Sequence, residues 1–184
     1  MELTLPPPGV IAILVTLVLI AALYDVRFRR IPNWLTGSGI LAGLAMNTFL
    51  YQGWPGLKLS LIGFAIAFAV NFVMYLLHFR GAGDVKLMAA IGAMVGWQDW
   101  FAIFLFSAIV GGVISLILIV LKKRAKKTLF NVGFMLNELK SGRAAYMKRE
   151  ELDVKSDKAL RLPAGAVIAI GVVFFLAVSA HYTG

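Results

Sequence analysis

Gly81-Ala82-Gly83-Asp84-Val85-Lys86 opens an apolar run that continues Leu87-Met88-Ala89-Ala90-Ile91-Gly92-Ala93-Met94-Val95-Gly96-Trp97. The run from Val85 to Trp97 is only 13 residues long. At ~1.5 Å rise per residue it covers only ~20 Å as a helix. A bilayer's hydrocarbon core is ~30 Å thick. Yet it is one of six apolar runs, near 9–24, 35–51, 57–79, 85–97, 101–121 and 164–182. The whole chain has 184 residues, is 60% hydrophobic and has a mean hydropathy of +0.86. That is too apolar for a soluble domain of ordinary composition. We therefore expect an all-α, polytopic membrane protein with six transmembrane helices, forming a single domain over 1–184. The length missing from the fourth span has to come from 81–84. This sets Asp84 below the water boundary in a recess, since non-helical backbone persists at that depth only where protein or water meets it.

The first apolar run follows Met1-Glu2-Leu3-Thr4-Leu5-Pro6-Pro7-Pro8. No basic segment precedes it, so it is expected to be retained rather than removed as a signal peptide. There are no cysteines, which excludes disulfides, thiolate zinc sites and a cysteine nucleophile. No metal or other cofactor is expected.

Charge orients the spans. Six spans send the connectors 25–34, 80–86 and 122–163 to one side, and 1–8, 52–56 and 98–100 to the other. The first side holds 17 of the 18 Lys and Arg, all but Lys58. Cytoplasmic loops carry the Lys/Arg excess, so both termini are expected outside and the basic loops in the cytoplasm. The net charge of +9 is thereby topological. Anionic headgroups are the expected partner, and nucleic acid is not.

The nine acids then sort themselves. Glu2 and Asp99 fall on the outer side, while Glu138, Glu150, Glu151, Asp153 and Asp157 fall in the long basic loop. Only Asp25 and Asp84 remain at cytoplasmic helix ends. A charge at the centre of a membrane helix costs roughly 3 kcal/mol on insertion scales, so such residues are seldom incidental. Two carboxylates brought to one poorly solvated recess resist double ionisation. One can then take a proton from water while the other polarises a peptide carbonyl and protonates the leaving amine.

Simpler readings stay open beside this one. Asp25 is spaced to pair with Arg29, four residues on, and Asp84 to cap the fourth helix. Gly81 and Gly83 are expected to supply backbone angles closed to other residues and to let a peptide approach. Pro32 is expected to stop the first helical region and hold Ile31 extended. Arg27, Arg29 and Arg30 are placed to snorkel to headgroups, and Lys86 to snorkel or to tune the carboxylates. Gly39/Gly43 and Gly92/Gly96 have the spacing of close helix contacts. Asn47, Asn71 and His78 read as interhelical polar positions. Within 122–162, Leu129, Val132, Leu136 and Leu139 repeat at helical spacing among twelve Lys and Arg. That pattern fits a basic helix on the membrane surface or a substrate-docking surface.

Two segments carry a resemblance: Asp25-Val26-Arg27-Phe28-Arg29-Arg30-Ile31-Pro32-Asn33, and, about 50 residues later, Gly81-Ala82-Gly83-Asp84-Val85-Lys86. A weaker third is Leu162-Pro163 followed by an Ala/Gly-rich run through Gly171. In these the chain resembles the type IV prepilin peptidases, which are GxGD-type integral-membrane aspartic proteases. The resemblance implies cleavage of prepilin or pseudopilin precursors at the cytoplasmic face of a bacterial or archaeal inner membrane. It also implies catalytic roles for Asp25 and Asp84. Gly81, Gly83, Lys86, Arg30, Pro32 and Asn33 are the expected supporting or substrate-binding residues. Members with an added Cys-x-x-Cys region also N-methylate the new terminus. This chain lacks cysteine, its 25–34 connector is short, and it resembles the small peptidase-only form serving tight-adherence (Flp) pili. Presenilin-like and signal-peptide-peptidase-like proteases share the Tyr-Asp and Gly-x-Gly-Asp pair but not the Arg-Arg-Ile-Pro-Asn continuation. A transporter or a non-catalytic pilus-assembly protein is the alternative of a different class.

Overall fold

The structure, a computed structural model, describes residues 5–77, 79–121 and 163–183. His78 and the basic loop 122–162 lie outside the described residues, with the expectations attached to them. Every described element is helical: α1 (Pro8–Phe28), α2 (Asn33–Ala45), a π-helical segment (Met46–Gln52), α3 (Gly53–Leu76), α4 (Ala82–Leu121) and α5 (Ala164–Thr183). Four helices are long and apolar enough to cross a membrane, namely Pro8–Phe28, Trp54–Leu76, Ala82–Leu118 and Ala164–His181. Outward-facing Leu23, Leu41, Phe49, Leu116 and Val120 are strongly exposed, as lipid-facing side chains would be.

The apolar stretch expected as one span over 35–51 is divided. α2 stops at Ala45 and the chain widens into the π-helical turn. There Asn47 is fully buried and its amide donates to Ser60 Oγ (2.9 Å) and to the Met94 carbonyl (2.9 Å). The polar group expected between helices is thus satisfied across three of them, and the irregular turn coincides with it. Such turns are local insertions in otherwise α-helical stretches.

The boundary after α1 also differs from expectation. The helix ends at Phe28 because Arg29 adopts a left-handed conformation, φ 55°, and its N–H closes on the Asp25 carbonyl at 2.9 Å. Pro32 therefore does not stop α1. With φ −65° and ψ 139° it is the extended residue that starts α2.

α4 is two helices joined at Gly96, whose φ of 79° and ψ of 175° break the ladder. Asp84 and Gly111 are 27 residues apart, a separation of ~40 Å along a straight helix. Both nevertheless line one cavity, so 97–121 folds back beside 82–95. Those angles are essentially reserved for glycine, and Leu59 already stands 3.0 Å from where a Cβ would be. The same closeness recurs where α3 crosses α4. A Cβ on Gly92 would lie 2.6 Å from that of Ala67, and one on Gly63 would collide with the Gly92 carbonyl.

The first half of α4 is the hub. Residues 87–96 are buried without interruption, and Leu87, Met88 and Ile91 join Leu14, Val18, Ile103, Val172 and Phe175 in the core. A helix wrapped by protein on all sides is apolar all round. Its shortness therefore costs little, because protein rather than lipid surrounds it.

Candidate active site

Asp25 sits in the last turn of α1 and is 8% exposed. Its Oδ2 accepts a hydrogen bond from the Gly165 N–H at 2.7 Å. The first N–H groups of any helix lack intrahelical partners. At α5 the Pro163 carbonyl serves Ala166 and Val167, and Asp25, 140 residues earlier, serves Gly165. Only a glycine fits comfortably: a Cβ there would lie 3.0 Å from the Asp25 Cβ and 3.2 Å from the Ala21 carbonyl oxygen. This gives the Pro163-Ala164-Gly165 segment a physical role that its sequence alone did not reveal.

Asp84 is the third residue of α4 and is partly buried. Its Oδ2 accepts from the Gly81 N–H at 3.3 Å, the reach-back half of a capping box. Each aspartate therefore faces a helix N-terminus, where the dipole favours negative charge. Asp84 lines the same cavity as Asp25 and Arg80. The capping role foreseen for Asp84 and its position in the cavity are compatible.

Gly81 and Gly83 do not use glycine-only angles. Among the described residues positive φ occurs at Arg29, Gly53 and Gly96. Gly83 instead permits a close approach, since a Cβ there would lie 3.2 Å from that of Ile31. It packs the Gly81–Asp84 corner against the segment that follows α1.

Asp25 and Asp84 line one cavity of about 620 Å³. Of the residues expected to support them, Gly81, Gly83, Lys86, Arg30 and Asn33 line it as well, and Pro32 does not. Lys86 donates to Asn33 Oδ1 at 2.8 Å, tying the start of α4 to the start of α2. The far wall comes from one face of the second half of α4, Ser107, Ala108, Gly111 and Ser115, together with Ala164, Val167 and Ile168 of α5. Asp99 is also buried, but beside the Gly96 turn at the other end of both halves.

Sequence reasoning passed over Arg80. Its Nη1 donates to Asn71 Oδ1 at 2.9 Å, and its guanidinium carbon lies 5.3 Å from the centre of the Phe104 ring. Asn71 is itself fixed by donating to the Ala67 carbonyl at 2.8 Å. Burial lowers the Arg80 proton affinity from the usual arginine value, and the charge of Asp84 opposes that. The available signal was a cation directly before Gly-Ala-Gly-Asp together with an asparagine on an apolar helix.

Comparison with known proteins follows this geometry. Residues 12–116, more than half of the chain, match the model of the Type IV leader peptidase family. A prepilin leader peptidase/N-methyltransferase of Aeromonas salmonicida is 34% identical over 119 residues, covering 60% of this chain and 40% of the relative. A preflagellin peptidase of Methanocaldococcus jannaschii is 34% identical over 80 residues, covering 42% and 34%. A prepilin leader peptidase/N-methyltransferase of Myxococcus xanthus is 28% identical over 121 residues, covering 59% and 36%. The matches thus span well under half the length of these relatives. No solved structure matches the chain.

Proposed function

The chain belongs to the type IV leader peptidase family, and we propose that it is a membrane aspartic endopeptidase that removes the leader peptide of prepilin-like precursors. The observation that carries this reading is the meeting of Asp25 and Asp84 in one cavity. They are the matching aspartates of the two motifs, and each accepts a backbone N–H at a helix N-terminus.

In this mechanism the pair holds one proton. The ionised aspartate takes a proton from water as the water attacks the scissile carbonyl. The protonated one hydrogen-bonds the carbonyl oxygen and then delivers its proton to the leaving amine. The backbone N–H groups of Gly81 and Gly165 hold the two carboxylates, which keeps both oriented through the cycle.

The proposed topology has six crossings: α1, the stretch 33–52, α3, the two halves of α4, and α5. Both termini then lie outside and the cavity opens toward the cytoplasm of a bacterial or archaeal cell. Support comes from Arg29, Arg30, Arg80 and Lys86, which gather at the cavity end, since positive residues stay inside. Only residues 29–32 separate α1 from α2, which favours the peptidase-only form typical of tight-adherence pili over one that also methylates.

The test is to reconstitute the protein in vesicles with a candidate prepilin precursor and to weigh the products. A single cut just before the precursor's apolar helix supports the reading. If no prepilin-like precursor is cut under any condition that preserves the fold, the reading fails.

A further inference from the structure

We propose that Arg80 is a substrate-binding residue: its guanidinium, held in the cavity wall by Asn71 and Phe104, donates hydrogen bonds to main-chain carbonyl oxygens of the precursor beside the scissile peptide. The proposal rests on the peptidase reading above and gives that reading a substrate contact.

Both ends of Arg80 are fixed. At its main chain, the N–H of the Arg80–Gly81 peptide is the one that donates to Asp84 Oδ2, at 3.3 Å. At its tip, Nη1 donates to Asn71 Oδ1 at 2.9 Å, and the guanidinium carbon lies 5.3 Å from the centre of the Phe104 ring. Asn71 is fully buried and tied to the Ala67 carbonyl at 2.8 Å. Phe104 packs in turn on Trp100, with ring centres 5.5 Å apart. α3 and the second half of α4 thus hold a cation directly beside the Gly81–Asp84 corner. Its side chain lines the cavity that both aspartates share.

This cradle leaves the guanidinium only partly used. A guanidinium carries several N–H donors in a flat fork and accepts nothing. Asn71 takes one of them. Among the described residues, no carboxylate forms an ion pair with Arg80. A half-buried cation has lost part of its water, so each further oxygen that reaches it is stabilising. The cavity is the side from which such an oxygen can arrive.

A peptide about to be cut supplies that oxygen. A carbonyl under attack cannot stay in a helical ladder, so the chain around it is extended and its carbonyls have no backbone partners. In a poorly solvated recess those groups need donors from the protein. The other side chains on the cavity serve less well. Arg29, Arg30, Asn33 and Lys86 are exposed, so water competes for them, and Lys86 already donates to Asn33. Ser107 and Ser115 donate back to their own helix, to the Ile103 and Gly111 carbonyls, at 2.7 Å each. They turn only acceptor capacity to the cavity. A substrate carboxylate would be repelled by the aspartate pair, whereas a neutral carbonyl is not.

The test separates binding from chemistry. In reconstituted vesicles, R80M should raise KM for a prepilin precursor by about 10- to 100-fold, as expected for losing hydrogen bonds from a charged donor. Its kcat should change by less than about threefold, since the contact is made before and during the reaction alike. R80K keeps the charge but replaces the fork with a single point, and its KM should fall between the two. A loss confined to kcat, in either variant, overturns the assignment. A precursor whose acidic side chains near the cut are replaced by amides should show the same R80M deficit. Disappearance of the deficit would mean that Arg80 reads a carboxylate, and would overturn the main-chain contact.

A second measurement needs no cleavage. In the D25N background, precursor should bind about tenfold or more weakly when R80M is added. Equal affinity overturns the assignment. If wild type cuts no precursor at all, the peptidase reading fails, while this affinity comparison still decides whether Arg80 holds the precursor.

Discussion

Gly165→Ala probes the contact that joins the end of α1 to the start of α5. The backbone N–H survives, so the hydrogen bond to Asp25 is not deleted outright. The new Cβ, however, would stand 3.0 Å from the Asp25 Cβ, 3.2 Å from the Ala21 carbonyl oxygen and 3.3 Å from Asp25 Oδ2. Ordinary carbon contacts begin near 3.5 Å, so α1 and α5 must part by about half an ångström there. Ala21 and Asp25 are backbone-anchored on one helix face, and both are buried, so neither has a rotamer that relieves all three contacts. The 2.7 Å bond from Gly165 to Asp25 lengthens toward the limit of a useful one. A misplacement of ~1 Å in a reacting group costs about 10²-fold in rate, so half of that implies roughly tenfold. Stability should fall by about 1 kcal/mol, the usual worth of one hydrogen bond. Prepilin cleavage in vesicles and the thermal midpoint in detergent read the two effects. Gly112→Ala is the control, because nothing stands within 4 Å of its Cβ position. Wild-type cleavage by Gly165→Ala, indistinguishable from Gly112→Ala, would refute the claim that this contact sets Asp25.

Three further outcomes follow from the fold. Gly96→Ala forces a side chain into angles reserved for glycine and onto Leu59. It should cost about 1–3 kcal/mol, read as a lowered thermal midpoint. Asn47→Leu strips the donor from Ser60 and the Met94 carbonyl and should destabilise by about 1–3 kcal/mol. Hydrogen exchange should rise at 43–52 and 60, and protection equal to wild type would show that the network is dispensable. Lys86→Met removes an exposed hydrogen bond to Asn33. Its effect on stability should stay below about 1 kcal/mol, and a larger loss would give Lys86 a role that the geometry does not.

Several features were legible in the sequence because they rest on composition and spacing. The helical class follows from long apolar runs, and the meeting of Asp25 and Asp84 from charge placement and local motif. The shortness of 85–97 is visible in the sequence, but the protein that surrounds it is not. A hub surrounded by protein has no need to match the bilayer. The end of α1 was misjudged because proline is the loudest local signal, whereas a left-handed Arg29 leaves no compositional mark. The roles of Gly81 and Gly83 were expected from glycine's backbone freedom. The structure uses the missing side chain at Gly83 instead, which only a neighbour such as Ile31 can show. Arg80 and Gly165 escaped notice because their partners, Asn71, Phe104 and Asp25, come together only in three dimensions.

The central claim is that Asp25 and Asp84 act as one proton-sharing unit. Its most direct test measures precursor cleavage by purified wild type, D25N, D84N and the double variant at matched vesicle density. The account predicts a loss of about 10²–10⁴-fold in each single variant, the usual contribution of a positioned acid or base. The double variant should be no worse than the weaker single one, since residues acting as a unit are not additive. Cleavage at the wild-type rate by either single variant would contradict it.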